Sequence, residues 1–406
     1  MRSTLFPLGA TLAVQMLVSM AVVTVPVLAP VAAVDAGVPV AFVGVFIALV
    51  YGAGMASSLA SGDLVHKYGA IRLSQMCLVA SALGLACTAA GTPLLLVAGA
   101  LLLGIGYGPV TPASSHILSK TTPPHMMSLI FSLKQTGVPL GGALAGAIVP
   151  TLVLIWNWRV AALAVGIACL ATAVLTQPIR RSLDADRVGA TRIHFAGVFQ
   201  PLRFTVAHAA IRRLAFCSFF FASIQVCLVT FLVTYLTRDL GYSLLQAGLM
   251  LSVAQSGGVI ARVIWGAIAD RTGRPLLVLG LVACLMAISA VATALFTPSW
   301  PVVAIAIVCA VFGGTAIGWN GVYLAEIARE APQGKAGLAT GGALFFTYFG
   351  VLVGPPVFAF VVEGGLSYPV AFLLVAVAPL ACGLWMLWQD AKQRSAAAFT
   401  QPRGAP

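Results

Sequence analysis

About twelve long apolar stretches, separated by short polar breaks, run through this chain, and no other feature constrains its fold as strongly. A helix that crosses a membrane needs roughly 20 mostly apolar residues. The stretches fall near 8–30, 39–60, 73–90, 94–117, 127–152 and 159–177 in the first half. In the second half they fall near 214–236, 244–267, 276–297, 301–325, 339–361 and 368–388. Only 8% of the residues are charged, against about a quarter in a soluble domain. The expected fold class is therefore an all-α membrane protein with about 12 transmembrane helices.

Hydropathy alone could miscount stretches as close as the third and fourth, which only Gly91, Thr92 and Pro93 separate, so charge supplies an independent check. With the N-terminus inside, the inner segments hold Lys67, Arg72, Lys120, Arg180, Arg181, Arg187, Arg192, Arg271, Arg274, Arg329, Lys335, Lys392, Arg394 and Arg403, among others. The outer loops keep Arg159 and Arg238. Positive residues are retained on the cytoplasmic side, so both termini are expected in the cytoplasm and the chain in the inner membrane. The formal net charge of +12 is spread over these short loops, with no basic stripe and interleaved aromatics. It reads as topology rather than as a nucleic-acid surface.

The eight cysteines all fall inside apolar stretches without metal-ligand spacing, and read as small packing residues. No metal site and no cofactor motif is expected. The first stretch is longer than the 7 to 15 apolar residues typical of a signal peptide, and is kept as a spanning helix.

The longest polar stretch divides the chain near its middle. Residues 1–177 form an N-terminal six-helix unit, 178–213 a cytoplasmic connector, 214–389 a C-terminal six-helix unit and 390–406 a tail. The halves repeat each other. The segment from Gly62 to Gly69 recurs as Gly266 to Gly273, 204 residues on. Gly137 to Gly141 parallels Gly350 to Gly354, and Gly106-Tyr107 parallels Gly318-Trp319. Ordered matches of this kind point to duplication. Carriers built from two repeats place their substrate between them and alternate access by rocking one against the other.

The loop Gly266-Ala267-Ile268-Ala269-Asp270-Arg271-Thr272-Gly273-Arg274 resembles the signature loop of the major facilitator superfamily. Its counterpart in the first half departs from the pattern: His66 stands where the family has Asp, and Lys67 where it has Arg. Gly137 to Gly142 resembles, in shortened form, a Gly-Pro-rich motif of the same superfamily. The resemblance implies a secondary transporter of two pseudo-symmetric six-helix bundles, sufficient as a monomer, with Gly266, Asp270, Arg271, Gly273 and Arg274 as a conformational latch. Opposite charges at a helix end can form bonds in one state that break in another; the alternative is a tight turn that anchors topology.

An ionisable residue at membrane depth costs about 2.5 to 3.5 kcal/mol on insertion scales and marks a pathway or site. Lys134 lies about seven residues, roughly 10 Å, beyond the inner start of the fifth stretch, flanked by Gln135 and Thr136. It suits an anionic group such as a carboxylate; alternatively it snorkels to the interface or pairs with a distant acid. Arg262 is read as a second anion contact, or as part of the latch. Glu326 and His116 are coupling candidates for a co-transported or exchanged ion, with a structural role as the other reading. Uncharged candidates for the substrate site are Tyr51 and Gln255, which correspond at the 204-residue offset, with Tyr107, Gln225, Trp319, Asn320, Thr347 and Tyr348.

Walker-type, His-Glu-x-x-His and Gly-x-Ser-x-Gly motifs are absent, which argues against an ATP-driven pump or an enzyme. A receptor without transport would be excluded by a measurable flux. The expected function is alternating-access transport of a small solute across the bilayer, in particular an organic anion, because Lys134 is the deepest charge and no acid accompanies it. The second reading is efflux of neutral or amphipathic compounds along Phe216, Phe219, Phe220 and Phe221 of the seventh stretch.

Overall fold

In the computed structural model, residues 2–122, 130, 133–185, 200–332 and 336–400 are described. His125, Asp186, Arg187, Arg192, His194, Lys335 and Arg403, and most of the expected connector, lie outside the described residues. All regular structure among the described residues is helical. Among the described residues, twelve helices are long and apolar enough to cross a membrane. Spans 1 to 6 are Phe6–Asp35, Val40–Ser58, Ala70–Ala90, Pro93–Leu118, Leu133–Ile155 and Trp158–Leu175. Spans 7 to 12 are Ala209–Arg238, Leu244–Thr272, Pro275–Ala294, Val302–Ile327, Ala339–Glu363 and Tyr368–Arg394.

Several helices run past the apolar windows, since polar helix ends project beyond the hydrocarbon. Span 7 starts at Ala209 and span 12 reaches Arg394, past the boundaries at 214 and 389. The close pair is correctly divided: Gly91, at φ 77°, ends span 3, and the Thr92 side chain caps span 4 by accepting from Leu95 N. At the start of span 8, Ser243 and Gln246 form a reciprocal capping box, which satisfies two otherwise orphan backbone donors.

The two halves pack alike. Span 1 lies on span 5, span 2 on span 4 and span 3 on span 6; span 7 lies on span 11, span 8 on span 10 and span 9 on span 12. The halves meet through spans 5 and 8, spans 2 and 11, and spans 1 and 7. An even number of spans returns both termini to one face, here called the terminal face. The cross-half contacts gather toward the opposite face. At Gly146 and Gly248 spans 5 and 8 approach so closely that a Cβ on either would strike the carbonyl of the other, a fit open only to glycine. The terminal-face ends of spans 4 and 10 pack within their own halves.

Spans 4 and 10 are both interrupted in mid-membrane. Span 4 breaks at Gly108 and Pro109, and Pro109 has no N–H to continue the ladder. Span 10 breaks between Ala316 and Asn320. Around that break, Trp265 Nε1 donates to Gly314 O at 2.9 Å, Trp319 Nε1 to Ala316 O at 3.0 Å and Arg262 Nε to Ile317 O at 3.1 Å. Interrupted backbone at membrane depth needs such partners, because hydrocarbon supplies none.

Candidate functional site

Lys134 is 1% exposed. Its Nζ donates to Thr111 Oγ1 at 3.3 Å and Gln135 Oε1 at 3.2 Å, and Thr111 donates to Gln15 Oε1 at 3.1 Å. The lysine thus stands in a polar node built from spans 1, 4 and 5. An ammonium carries three donors, and these two bonds leave one to spare.

A matching node joins spans 7, 10 and 11. Ser218 Oγ accepts from Tyr323 Oη at 3.0 Å and from Thr347 Oγ1 at 2.9 Å. Thr111 to Tyr323 is an offset of 212 residues, that of Gly106 to Gly318. Lys134 to Thr347 is 213, that of Gly137 to Gly350. The two nodes are therefore the same position of the duplicated fold, and only the first carries a cation.

The second cation, half-buried, arrives from the other half. Besides its bond to Ile317 O, Arg262 donates from Nη1 to the main-chain oxygen of Gln135 at 3.1 Å. Gln135 consequently touches both cations, Lys134 with its side chain and Arg262 with its backbone. Arg262 Nη2 makes no hydrogen bond among the described residues. Each cation keeps donors unused, and neither has a carboxylate partner among the described residues.

Around these cations the structure assembles aromatic rings from both halves. Tyr51 and Tyr107 meet edge to face, 5.5 Å between centroids. Tyr348 is within electrostatic range of both, and Arg262 of Tyr107. Gln255 lies across from Gly142, where a Cβ would strike its amide. Gln225 Oε1 accepts from Trp319 Nε1 at 3.1 Å and from Asn320 Nδ2 at 3.4 Å, while the Trp319 ring packs on Phe221 at 5.4 Å and Tyr323 at 5.2 Å.

The coupling candidates belong to other clusters. Glu326, 2% exposed, pairs with Arg329 at 2.8 Å. His116 Nε2 lies 2.8 Å from Lys120 Nζ, and its ring 5.7 Å from that of His66. Both sit toward the terminal face. In the latch loop, Asp270, Arg271 and Gly273 are exposed, and Asp270 and Arg271 make no hydrogen bond or ion pair among the described residues. Gly266 has open space beside it. Arg274 is engaged with Asp390 of span 12.

The phenylalanines of span 7 do not form one wall: Phe216 is 57% exposed on the outside of the bundle, whereas Phe221 is buried against Trp319. Sequence reasoning passed over Gln15, Thr111, Ser218 and Tyr323, although the offsets near 212 and 213 were already legible in the glycine matches.

The family model described as Major Facilitator Superfamily matches residues 11–347 and, again, 214–406. The chain is 28% identical over 356 residues to the gallate transporter of Pseudomonas putida, covering 79% of this chain and 77% of that one. It is 25% identical over 291 residues to the hexuronate transporter of Bacillus subtilis (strain 168), covering 68% of each. Its fold superposes on a crystal structure of the nucleoside transporter NupG, solved as a point mutant, with a TM-score of 0.74 at 16% identity, over 93% of this chain and 99% of that one.

Proposed function

This chain belongs to the Major Facilitator Superfamily, and from that premise we propose that it carries a small organic anion, a carboxylate, through the membrane by alternating access. It is a multi-pass transporter and not an enzyme. The observation that carries the substrate class is the pair of acid-free cations, Lys134 from the first half and Arg262 from the second, tied through Gln135. An isolated charge in a low-dielectric interior is costly unless paired, and a carboxylate would supply the missing partner to both. Gallate and hexuronate, named for the two relatives, are both carboxylates.

Because the cations belong to different halves, bound anion would cross-link the two rocking units, 1–177 and 214–389, joined by 178–213, with 390–406 as a tail. The close contacts between the halves gather toward the face opposite the termini. On the charge asymmetry of the loops the terminal face is cytoplasmic and the membrane the inner one, so on this reading the inward side is the one that parts. The exposed, unengaged Asp270 and Arg271 suit a latch that closes when the terminal face closes. Glu326 and His116 are the candidates for coupling to a co-transported or exchanged ion, with a structural role as the other reading, and one chain supplies both halves, so a monomer suffices.

Uptake into proteoliposomes of labelled carboxylates, neutral solutes and cationic dyes, with native protein and with Lys134→Ala, tests the reading. Saturable carboxylate uptake whose half-saturating concentration the substitution raises supports it. Transport of only neutral or cationic compounds, indifferent to the substitution, overturns it.

A further inference from the structure

The amide pair Gln225 and Asn320 is not consumed by the packing that holds it. Trp319 Nε1 is a donor with no acceptor capacity; it shares its one N–H between Ala316 O at 3.0 Å and the Gln225 side chain at 3.1 Å, so Gln225 turns its oxygen toward the indole. Asn320 also donates to that oxygen, at 3.4 Å. These bonds fix both amides: Gln225 points its Nε2 away from the cluster, and Asn320 its Oδ1. Neither atom has a hydrogen-bond partner among the described residues. If the cluster served only to stitch span 7 to span 10, the outward ends would be idle polar groups in mid-membrane, where an unpaired amide is expensive.

We propose that Gln225 and Asn320 form a neutral subsite that binds a hydroxyl group of the transported anion, so that the carrier selects hydroxylated carboxylates over their deoxy counterparts. A hydroxyl both donates and accepts, which matches one outward amide N–H beside one outward amide oxygen. A second carboxylate would face the Asn320 oxygen without a proton to offer it, and an ammonium would face the Gln225 donors. Arg262 holds Ile317 O, at one end of the break in span 10, and Asn320 stands at the other, so one of the two cations and the amide pair gather at the same interruption of the helix. The proposal rests on the carboxylate reading of Lys134 and Arg262.

The test is competition for uptake in proteoliposomes by matched pairs: benzoate with 4-hydroxybenzoate, and hexanoate with 6-hydroxyhexanoate. In the native protein the hydroxylated member of at least one pair is expected to compete about tenfold more strongly, because a buried polar site left without its partner penalises the analogue that lacks it. In Asn320→Leu the ratio within that pair should fall to near one, and Asn320→Gln should restore part of it. Equal competition within both pairs in the native protein overturns the hydroxyl subsite while leaving the carboxylate reading intact. A preference that survives Asn320→Leu also overturns it. Failure of every carboxylate to compete overturns the underlying reading, and the subsite with it. The native comparison needs no variant to fold.

Discussion

Arg262 of span 8 donates to the main-chain oxygen of Gln135 in span 5 at 3.1 Å, which places a cation of one half against the residue adjoining Lys134 in the other. The bond uses a backbone acceptor, so it survives any change of the Gln135 side chain, and it leaves the Arg262 charge uncompensated. The junction of the two halves therefore brings two cations together at Gln135, with no carboxylate partner among the described residues.

Lys134→Ala is expected to raise the concentration of carboxylate needed for half-maximal uptake by about ten- to a hundredfold. A hydrogen bond to a charged group contributes about 1.5–3 kcal/mol, and about 1.4 kcal/mol is a factor of ten. Lys134→Arg should retain more affinity than the alanine, since charge is kept while the Thr111 and Gln135 contacts are displaced. Initial rates across a concentration series in proteoliposomes separate the variants.

Arg262→Lys should damage transport more than its conserved charge suggests. The guanidinium reaches Ile317 O and Gln135 O from two nitrogens and still offers a third; an ammonium is a point charge without that fork. Substrate affinity should fall about tenfold, the scale of one lost charge-assisted bond. An affinity within twofold of native would show that Arg262 acts on the substrate through charge alone.

The fold was legible in the sequence because membrane burial writes itself as uninterrupted apolar runs, and because the duplication repeats Gly266 to Gly273 on Gly62 to Gly69. Lys134 and Arg262 were legible for the converse reason, being the exceptions in those runs. The polar nodes were not. A lone Ser or Thr in a spanning helix commonly returns its hydroxyl to its own backbone, as Ser114 does to Val110 O and Thr24 to Met20 O. Nothing local distinguishes those from Thr111, whose hydroxyl donates across to Gln15, or from Ser218, which donates to Ala215 O as they do to their own helices and yet accepts from Tyr323 and Thr347 of neighbouring spans.

Asp270→Asn should slow turnover while leaving binding intact. Asp270 has no partner among the described residues in this conformation, so neutralising it costs nothing here and weakens only the state in which the latch is closed. A two-state coupling of this kind commonly corresponds to about 5- to 150-fold, and a drop in maximal uptake rate of about tenfold is expected. Binding of the same substrate to detergent-solubilised protein, followed by calorimetry, should change by less than about twofold.

The two halves anchor their third spans differently, and this predicts unequal losses. Asp184, buried after span 6, accepts from the backbone N–H groups of Ile71 at 2.8 Å and Arg72 at 3.0 Å, capping the start of span 3. Asp390 stands 206 residues on, in span 12, and holds the Arg274 side chain instead. Asp184→Ala strips the acceptor from two backbone donors, and loss of a cap costs about 0.5–2 kcal/mol, so the unfolding midpoint in detergent should fall by a few degrees. Asp390→Ala frees a guanidinium that is 33% exposed and can turn to water, so its midpoint should fall less. Asp184→Asn, with one carbonyl oxygen in place of two, should lie between native and alanine. Equal midpoints for Asp184→Ala and Asp390→Ala would mean that the cap of span 3 is replaced by water at no cost.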